Sequence, residues 1–312
     1  MKILVGTLFC GEHEFDRCVE SIARQTLPAT EHLVIRNRPD REAHQALYGG
    51  FFGRREEFDL LIKVDADCVI CRDDFFAKVA ATFRSRPDLR LLEVKLHDWY
   101  TDRPMSGINI YHRDLDYRPS GDGVFTDRFA VDPSVVHRDR KQLAPAAMHC
   151  PDPSPWHAFH FGVHRGVKGA VALQRGLYET AYMRFREVHW TRQHFRRNPD
   201  PRLGLAALGG ELGLAGQFKE DQLDYSNAAV QAAYRRAQSA DADTLKRMIE
   251  EAVDARLSRW PWWVRMELKR GGRLRWGRAA WPLPLRKAMI NAGTKLRSLI
   301  QRSAAEAGRG GG

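Results

Sequence analysis

Short runs of aliphatic residues alternate with segments of helical periodicity along the first hundred residues of the chain. Uninterrupted apolar runs are typical of buried strands, and apolar residues at three- and four-residue steps are typical of amphipathic helices. The pattern predicts strands at Lys2–Thr7, Glu31–Arg36, the run that ends at Asp65 and Leu89–Leu96, with helices at Phe15–Gln25, Arg41–Tyr48 and Asp73–Arg84. This order predicts an α/β fold, in which a mostly parallel sheet with right-handed crossovers carries flanking helices.

The alternation of strands and helices ends at Leu96. Residues 97–139 are rich in Asp, Arg, Tyr and Gly, with one predicted strand at Gly107–His112. Polar segments of this length are uncommon as simple connectors, so we expect this region to bind substrate. Periodic segments then predict helices at His157–Leu173, Tyr178–Arg197 and Asp224–Leu257, whereas Leu203–Gly216 is small and Gly-rich and carries no predicted element.

The excess of positive charge belongs to the C-terminal part of the chain. The 312 residues carry a net charge of +11, and residues 256–312 hold 14 Lys or Arg against 2 Asp or Glu, with tryptophans interleaved. Basic residues mixed with tryptophan suit an anionic membrane, so residues 256–302 are a candidate membrane-binding surface. One alternative is a helix packed on the main domain. Nucleic-acid binding ranks last because no nucleic-acid motif accompanies the segment.

Cysteine usage and hydropathy indicate the compartment. The 5 cysteines are odd in number and irregularly spaced, as expected of reduced thiols in a cytosolic protein. The sequence has no run of about 18 apolar residues, and its first apolar stretch is too short for a secretory signal. We therefore expect a cytoplasmic protein, which the basic segment would bring to the inner face of the membrane.

Two carboxylates, Asp65 and Asp67, follow the most apolar of the predicted strands. Ligands of open α/β sheets bind beyond the carboxyl ends of the strands. Two hard oxygen ligands at that position suit Mg²⁺ or Mn²⁺, with a diphosphate supplying further oxygens. The simple alternative is a solvated acidic turn. Strand alternation leads us to expect that Lys63 faces away from this site.

A group of histidines is the second candidate for metal chemistry. His157, His160 and His164 share helical spacing and would lie along one helix face, and His149 precedes a Pro-rich loop. Packed or exposed helical imidazoles are the simple alternative for each of them. A separate zinc site built from three of these histidines is a weaker interpretation, because Asp65 and Asp67 already offer a metal site.

Three signals in the order expected of one family occur over residues 2–85: the first strand Ile3–Thr7, the helix Cys18–Thr26 and the Asp-Ala-Asp motif in Val64–Cys68. In these features the chain resembles a glycosyltransferase of the GT-A fold, close to the family-2 type. It departs from that pattern in two places. Arg36-Asn37-Arg38 stands where an acidic residue is usual, and Thr7 and Asp65 are only 58 positions apart.

The resemblance implies a GT-A, Rossmann-like α/β fold and a metal-dependent glycosyltransferase that uses Mn²⁺ or Mg²⁺. The enzyme would move a sugar from a nucleotide-sugar donor to an envelope glycan, another glycan or a lipid-linked acceptor. It implies three units: residues 1–96 for the nucleotide-sugar, residues 97–222 for the acceptor and catalysis, and residues 223–312 as a helical, basic extension. By the resemblance, Asp67 binds the metal, Asp65 binds the metal or the nucleotide-sugar, and His149 and His164 are candidate further metal ligands. Thr7, Glu12, Arg36 and Asn37 follow the first two strands and are the candidate nucleotide-sugar-binding residues. Asp221 is the candidate catalytic base, and Asp127 competes with it together with Asp122 and Asp132; a solvated acidic loop is the simple alternative for all of them.

Two other function classes stay open at this point. A nucleotidyltransferase could be built on a similar sheet, although a Gly-rich, basic phosphate loop would be expected after the first strand, and residues 6–13 lack one. An inactive GT-A-like protein that binds membranes or nucleic acid through its tail is the non-enzymatic alternative.

Overall fold

The computed structural model describes residues 1–118, 124–125, 131–139 and 141–259. The strands in these ranges are β1 (Ile3–Phe9), β2 (Glu31–Arg36), β3 (Leu60–Lys63), β4 (Cys68–Ile70), β5 (Leu91–Asp98), β6 (Arg103–His112), β7 (Val136–Asp139) and β8 (Ala147–His149). The helices are α1 (Phe15–Ala23), α2 (Asp40–Phe52), α3 (Phe75–Ser85), α4 (Pro155–Gln174), α5 (Tyr178–Arg197), α6 (Pro201–Leu214), α7 (Ala228–Ala237) and α8 (Ala242–Arg259).

The strands form one mixed sheet in the order β2-β1-β3-β6-β5-β8-β4, with β7 also paired to β5. Parallel pairs join β1 to β2 and β3, and β5 to β7 and β8. Strand β6 runs antiparallel to both β3 and β5. The carboxyl ends of β1, β2, β3, β5 and β8 therefore lie at one edge of the sheet. The predicted fold, a GT-A-type α/β sheet with flanking helices, is confirmed.

Strand β3 is aliphatic because it is covered on both faces. All four of its residues are buried. Leu60 and Ile62 belong to the core under α1 and α3, while Leu61 belongs to the core under α2. This alternation explains the continuous apolar run in the sequence. The strand ends at Lys63, and Asp65 and Asp67 lie in the turn that leads to β4.

The Gly-rich segment 203–216, for which the sequence analysis predicts no element, is helical. It lies largely in α6, which packs directly on α4. A Cβ atom added to Gly162 of α4 would stand 2.0 Å from the carbonyl oxygen of Ala206 in α6. Glycine is a poor helix former, but here its small size lets two helix backbones touch, and that tertiary packing outweighs the propensity.

The predicted helix Asp224–Leu257 is two helices, α7 and α8. Asn227 begins the first, because its side-chain oxygen accepts from the N–H groups of Ala229 and Val230. Asp241 begins the second by accepting from the N–H of Thr244 at 2.8 Å. Such side-chain caps satisfy N–H groups that the first turn of a helix leaves open. Short polar residues inside the Ala-rich stretch are thus the signal for the break.

Most of the predicted membrane-binding segment, from residue 260 onwards, lies outside the described residues. Membrane binding by residues 256–302 and the three-unit division stay predictions. Over the part of the chain that is described, none of the helices combines the length and the apolar composition needed to cross a bilayer.

We predict that Gly162→Ala destabilises the protein by about 2 kcal/mol or more, since the added methyl group must push two helix backbones apart. Gly49→Ala is the matched control, because Gly49 lies inside α2 and a Cβ there meets nothing within 4 Å. That control should gain up to about 1 kcal/mol from the better helix propensity. Urea unfolding of both variants measures the two effects, and a Gly162→Ala variant as stable as the parent would contradict the packing described.

Candidate active site

The turn between β3 and β4 brings Asp67 against His149 at the end of β8. In the antiparallel pair of β4 and β8, His149 stands opposite Cys68, the residue after Asp67. The Nε2 atom of His149 lies 3.2 Å from Oδ2 of Asp67. Cys150, the next residue, has a φ of 46°, and its N–H donates to the carbonyl oxygen of Asp67 at 2.8 Å. Left-handed backbone at a non-glycine residue costs energy and is concentrated at functional sites.

Asp98 fixes the other side of the His149 ring. It ends β5, and its Oδ1 lies 2.7 Å from Nδ1 of His149. Its Oδ2 accepts from the N–H of Thr101 at 2.9 Å and from the Thr101 hydroxyl at 2.6 Å. Asp98 and His149 are both buried. With a carboxylate on each ring nitrogen, the orientation of His149 is fixed and Nε2 is directed at Asp67.

The charges of this pair depend on each other. Burial alone would raise the pKa of Asp67, but His149 and the thiols of Cys150 and Cys68 hold that pKa well below its ordinary value. Burial alone would lower the pKa of His149, but Cys150, Asp67 and Asp98 raise it well above its ordinary value. The pair therefore favours a carboxylate facing an imidazolium in the absence of other ligands.

Cys150 adds a third ligand atom to the pair. Its Sγ lies 3.3 Å from Oδ2 of Asp67, and the ligand atoms of Asp67, His149 and Cys150 all lie within 4.8 Å of one another. Burial, followed by the charge of Asp67, raises the pKa of Cys150 well above its ordinary value, so the group donates to Asp67 as a thiol. Divalent cations accept a carboxylate oxygen and an imidazole nitrogen as ligands when the two atoms lie this close together.

Asp65 lies beside this group and is half-exposed, with 46% of its side chain accessible. The ammonium group of Lys63 forms an ion pair with Asp65 Oδ1. The expectation that Lys63 faces away from the site is therefore wrong. The two residues are two positions apart, and such residues project to the same side of an extended chain.

The loop after β1 supplies Glu12. Its Oε2 accepts from the N–H of Cys10 at 2.6 Å. Burial raises the pKa of Glu12 to about 7, against the N–H donors that lower it, and the charges of Asp67 and Asp65 add to the rise. Carboxyl groups whose pKa is shifted close to neutrality occur more often at functional sites than elsewhere, and Glu12 lies close enough to Asp65 and Asp67 to feel their charges.

The other predicted nucleotide-sugar residues lie at the ends of β1 and β2. Thr7 is fully buried, and its hydroxyl is 2.9 Å from Nε2 of His32, so it has no exposed surface to offer a ligand directly. The Arg36 guanidinium lies over the rings of Phe9 and Phe15, at 4.9 and 4.8 Å. Asn37 is exposed with a φ of 51°, which asparagine tolerates better than most residues. Nucleotide binding by all three stays a prediction.

Two predicted site residues, His164 and Asp221, do not join the group around Asp67 in the described structure, and a third lies outside the described residues. His164 lies beside Lys168, Asp40 and His160, and the described group of metal-ligand atoms does not include it. Asp221 is exposed in the short 3₁₀ turn Glu220–Gln222. Asp127 lies outside the described residues. The metal role of His164 and the catalytic roles of Asp221 and Asp127 stay predictions.

A cavity of about 630 Å³ opens beside the site, between β5, β6 and the helices α4 and α5. Asp65, Asp98 and His149 line one part of it, and residues from 97–139 and from α5 line the rest. The cavity thus connects the Asp67 group to the region that the sequence marks as substrate-binding. Of the acids at its wall, Glu187 is bound to Arg184 at 2.7 Å and Glu93 to Arg138 at 2.5 Å.

Sequence reasoning missed Asp98 and Cys150. Asp98 comes two residues after the predicted strand Leu89–Leu96, so a search for carboxylates just beyond every predicted strand would have found it. Cys150 adjoins a candidate histidine, but its place opposite Asp67 depends on the antiparallel register of β8, which no local signal encodes.

No protein-family model and no curated protein matches the chain. The mannosyltransferase PcManGT from Pyrobaculum calidifontis, in complex with GDP-Man and Mn²⁺, is 11% identical with a TM-score of 0.30, over 82% of this chain and 87% of that one. A glycosyltransferase involved in the glycosylation of the major capsid of PBCV-1 is 10% identical with a TM-score of 0.27, over 36% of this chain and 61% of that one.

A protein from STIV is 14% identical with a TM-score of 0.31, over 36% of this chain and 66% of that one. The chain therefore spans about two thirds or less of the PBCV-1 and STIV proteins. Two of these three structures are glycosyltransferases by their descriptions.

The raised pKa of Glu12 predicts a pH-dependent stability effect of Glu12→Gln. The folded protein favours the protonated carboxyl, so Glu12 lowers stability progressively as the pH rises from about 4.5 to about 7. The glutamine variant keeps an acceptor for Cys10 and avoids this penalty. It should exceed the parent by roughly 2 to 3 kcal/mol at pH 8, with most of the difference gone at pH 4.5. Urea unfolding in EDTA at both values tests this, and a difference independent of pH would contradict it.

Proposed function

We propose that the protein is a glycosyltransferase that takes its sugar from a nucleotide-sugar and works with a divalent cation, Mn²⁺ or Mg²⁺, held at Asp67 and His149. The observation that carries the proposal is the contact of 3.2 Å between the carboxylate of Asp67 and the ring nitrogen of His149. That pair stands at the edge of the sheet where α/β proteins bind ligands, beside a cavity of about 630 Å³.

The donor set fits a divalent cation. Oδ2 of Asp67 and Nε2 of His149 converge, and Asp98 holds Nδ1 of the same ring, as carboxylates behind metal-binding histidines do. Asp65 supplies a further carboxylate beside the pair, and Cys150 borders it. When bound, the cation would supply Lewis acidity that offsets the negative charge of the departing diphosphate.

The chain's own residues would orient the donor from the neighbouring strand ends. Arg36 is held by two aromatic rings and can reach a phosphate or a base without a large loss of side-chain freedom. Glu12 and Asn37 stand on the loops after β1 and β2, where a nucleoside would be gripped. Lys63, paired with Asp65, limits the negative charge of the site when the donor diphosphate approaches.

The cavity would receive the acceptor. The general base that removes the proton of the acceptor hydroxyl is proposed among Asp221 and Asp127. A glycan or lipid-linked acceptor, with the protein in the cytoplasm and its basic segment 256–302 against the inner face of the membrane, is the setting in which we place this reaction.

Nucleoside diphosphates should stabilise the parent protein only in the presence of Mn²⁺. A ligand at about 100 times its Kd adds roughly 2.7 kcal/mol to the free energy of unfolding. Asp67→Asn should abolish this gain, because the neutral amide loses the charge that the cation needs. Asp88→Asn is the matched control, since Asp88 is exposed at the opposite edge of the sheet, before β5. Thermal unfolding with a panel of nucleotides measures the effect.

If a nucleotide stabilises the protein without metal, or stabilises the Asp67→Asn variant as it does the parent, the proposed metal site is contradicted. If none of the nucleotides stabilises the protein while anionic vesicles capture it, the inactive membrane-binding alternative replaces the enzyme.

Asp98→Asn should weaken Mn²⁺ binding about 10- to 100-fold, since Asp98 positions His149 rather than touching the cation. Titration of Mn²⁺ followed by electron paramagnetic resonance gives the affinity without any assay of activity. Asp98→Glu keeps the charge and should retain part of the affinity. Equal affinity in Asp98→Asn and the parent would show that His149 needs no such support.

A further inference from the structure

The rim of the cavity carries a pair of guanidinium groups on one tryptophan. The guanidinium carbon of Arg103, at the start of β6, lies 4.6 Å from the centre of the Trp190 ring. That of Arg186, in α5, lies 4.3 Å from the same ring. Arg186 and Trp190 line the cavity, and so does Pro104, the neighbour of Arg103. Two guanidinium groups therefore share one ring at the wall of the cavity.

These cations have no acidic partner. Within the described ranges, the ion pairs include neither Arg103 nor Arg186, nor Lys95 on the cavity wall. The acids nearby are already engaged: Asp102 lies 3.3 Å from Nε2 of His97, Glu93 binds Arg138, and Glu187 binds Arg184 and Arg165. The rim, which we define as Lys95, Arg103, Arg186 and Trp190, thus keeps its positive charge.

Other cations strengthen this field. His189, one residue before Trp190, has its pKa lowered to about 4, by burial first and then by Arg192, Arg196, Arg256 and Arg103. His189 is consequently neutral at physiological pH, and the positive charge near the rim comes from the arginines around it. Of its cationic neighbours, Arg192 and Arg256 share the buried carboxylate of Glu211. Arg103 and Arg196 do not, so the face of α5 at the entrance repels cations and attracts anions.

We propose that this rim binds a phosphate group carried by the acceptor. A guanidinium presents a planar fork of N–H donors that matches the oxygens of a phosphate. A phosphate monoester near neutral pH carries close to two negative charges, which offset most of the charge of the two guanidiniums and Lys95, whereas a carboxylate would leave two of the three cations unpaired. Trp190 keeps both arginines in place, so less side-chain freedom is lost when the phosphate binds.

The position of the rim also suits an acceptor. The same cavity is lined by Arg186 and Trp190 and by Asp65 and His149. A molecule anchored by its phosphate at the rim could extend its hydroxyl-bearing part toward Asp67. The identification of this molecule as the acceptor rests on the proposed glycosyltransferase function, but the phosphate site itself does not.

The probes are two phosphate monoesters of different origin and their neutral counterparts: farnesyl phosphate with farnesol, and glucose 6-phosphate with glucose. Isothermal titration of the full-length chain in EDTA, at low and at high salt, gives each affinity without any donor or metal. The parent should bind at least one phosphate ester, lose that binding in high salt, and bind neither neutral counterpart. Tighter farnesyl phosphate identifies a lipid source, and tighter glucose 6-phosphate identifies a soluble sugar phosphate.

Arg103→Gln and Arg186→Gln should each weaken the phosphate ester about tenfold or more, since each removes a charge-assisted hydrogen bond. Arg103→Lys and Arg186→Lys keep the charge and should recover part of the loss. Arg236→Gln is the matched control, because Arg236 is exposed on α7, and it should bind as the parent does. Near-ultraviolet circular dichroism and the melting temperature verify that each variant is folded.

Asp67→Asn separates this proposal from the proposed function, because it should remove metal-dependent nucleotide binding and leave the affinity for the phosphate ester unchanged. Absence of phosphate binding in the parent overturns the phosphate site. Unchanged affinity in the folded double variant Arg103→Gln/Arg186→Gln overturns it as well, since the phosphate would then bind elsewhere. If only the nucleotide experiment fails, the rim remains a phosphate site, but its ligand is then not the acceptor of a glycosyl transfer.

Discussion

The candidate site depends on one ring, that of His149, held between two carboxylates that are distant in sequence. His149 is the register partner of both Cys68 in β4 and Asp98 in β5. The three-residue strand β8 therefore fixes how far Asp67 stands from Asp98. Removing either carboxylate would leave a buried ring with one nitrogen unpaired, which costs more than the net value of the hydrogen bond it replaces. The sheet positions His149 between Asp67 and Asp98, and the contacts of His149 with both carboxylates in turn stabilise the pairing of β8 with β4 and β5.

The helical layer supports this ring from the other side. Phe161 of α4 lies 5.3 Å from His149 and stacks on Tyr100 at 4.1 Å. Arg165, one turn further along α4, lies over Phe161 at 4.7 Å and reaches Glu187 of α5. The position of α4 is set in turn by its glycine contacts with α6. The packing of α4 on α6 therefore restricts the movement of Phe161, and Phe161 in turn restricts the ring of His149.

Strands β1, β2, β3, β5 and β6 could be predicted because each has a local apolar signal, as the aliphatic run Leu60–Ile62 does. Asp65 and Asp67 could be found for the same reason, since they follow that run directly. The short strands β4, β7 and β8 were not predicted. The resemblance implied that Asp67 and His149 could bind one metal, but local sequence signals alone do not give their contact, because it depends on the antiparallel pairing of β4 with β8 over a long separation. Helix α6 was missed for a related reason. Its glycines oppose helix formation locally, and only the approach of α4 makes them favourable.

The distribution of charge within the cavity follows from which carboxylates the fold has already neutralised. Asp98 is occupied by His149 and Thr101, and Glu187 by two arginines, so these buried acids add little free negative charge. Asp67 and Asp65 are paired with His149 and Lys63, whereas the two arginines on Trp190 have no acidic partner among the described residues. The positive charge of the cavity therefore lies at the Trp190 rim. Burying unpaired charge is costly, so these groups lie where water or a ligand can reach them. If Asp67 and His149 hold the proposed cation and the Trp190 rim holds the proposed phosphate, a ligand whose phosphate lies apart from its reacting hydroxyl would satisfy both ends at once.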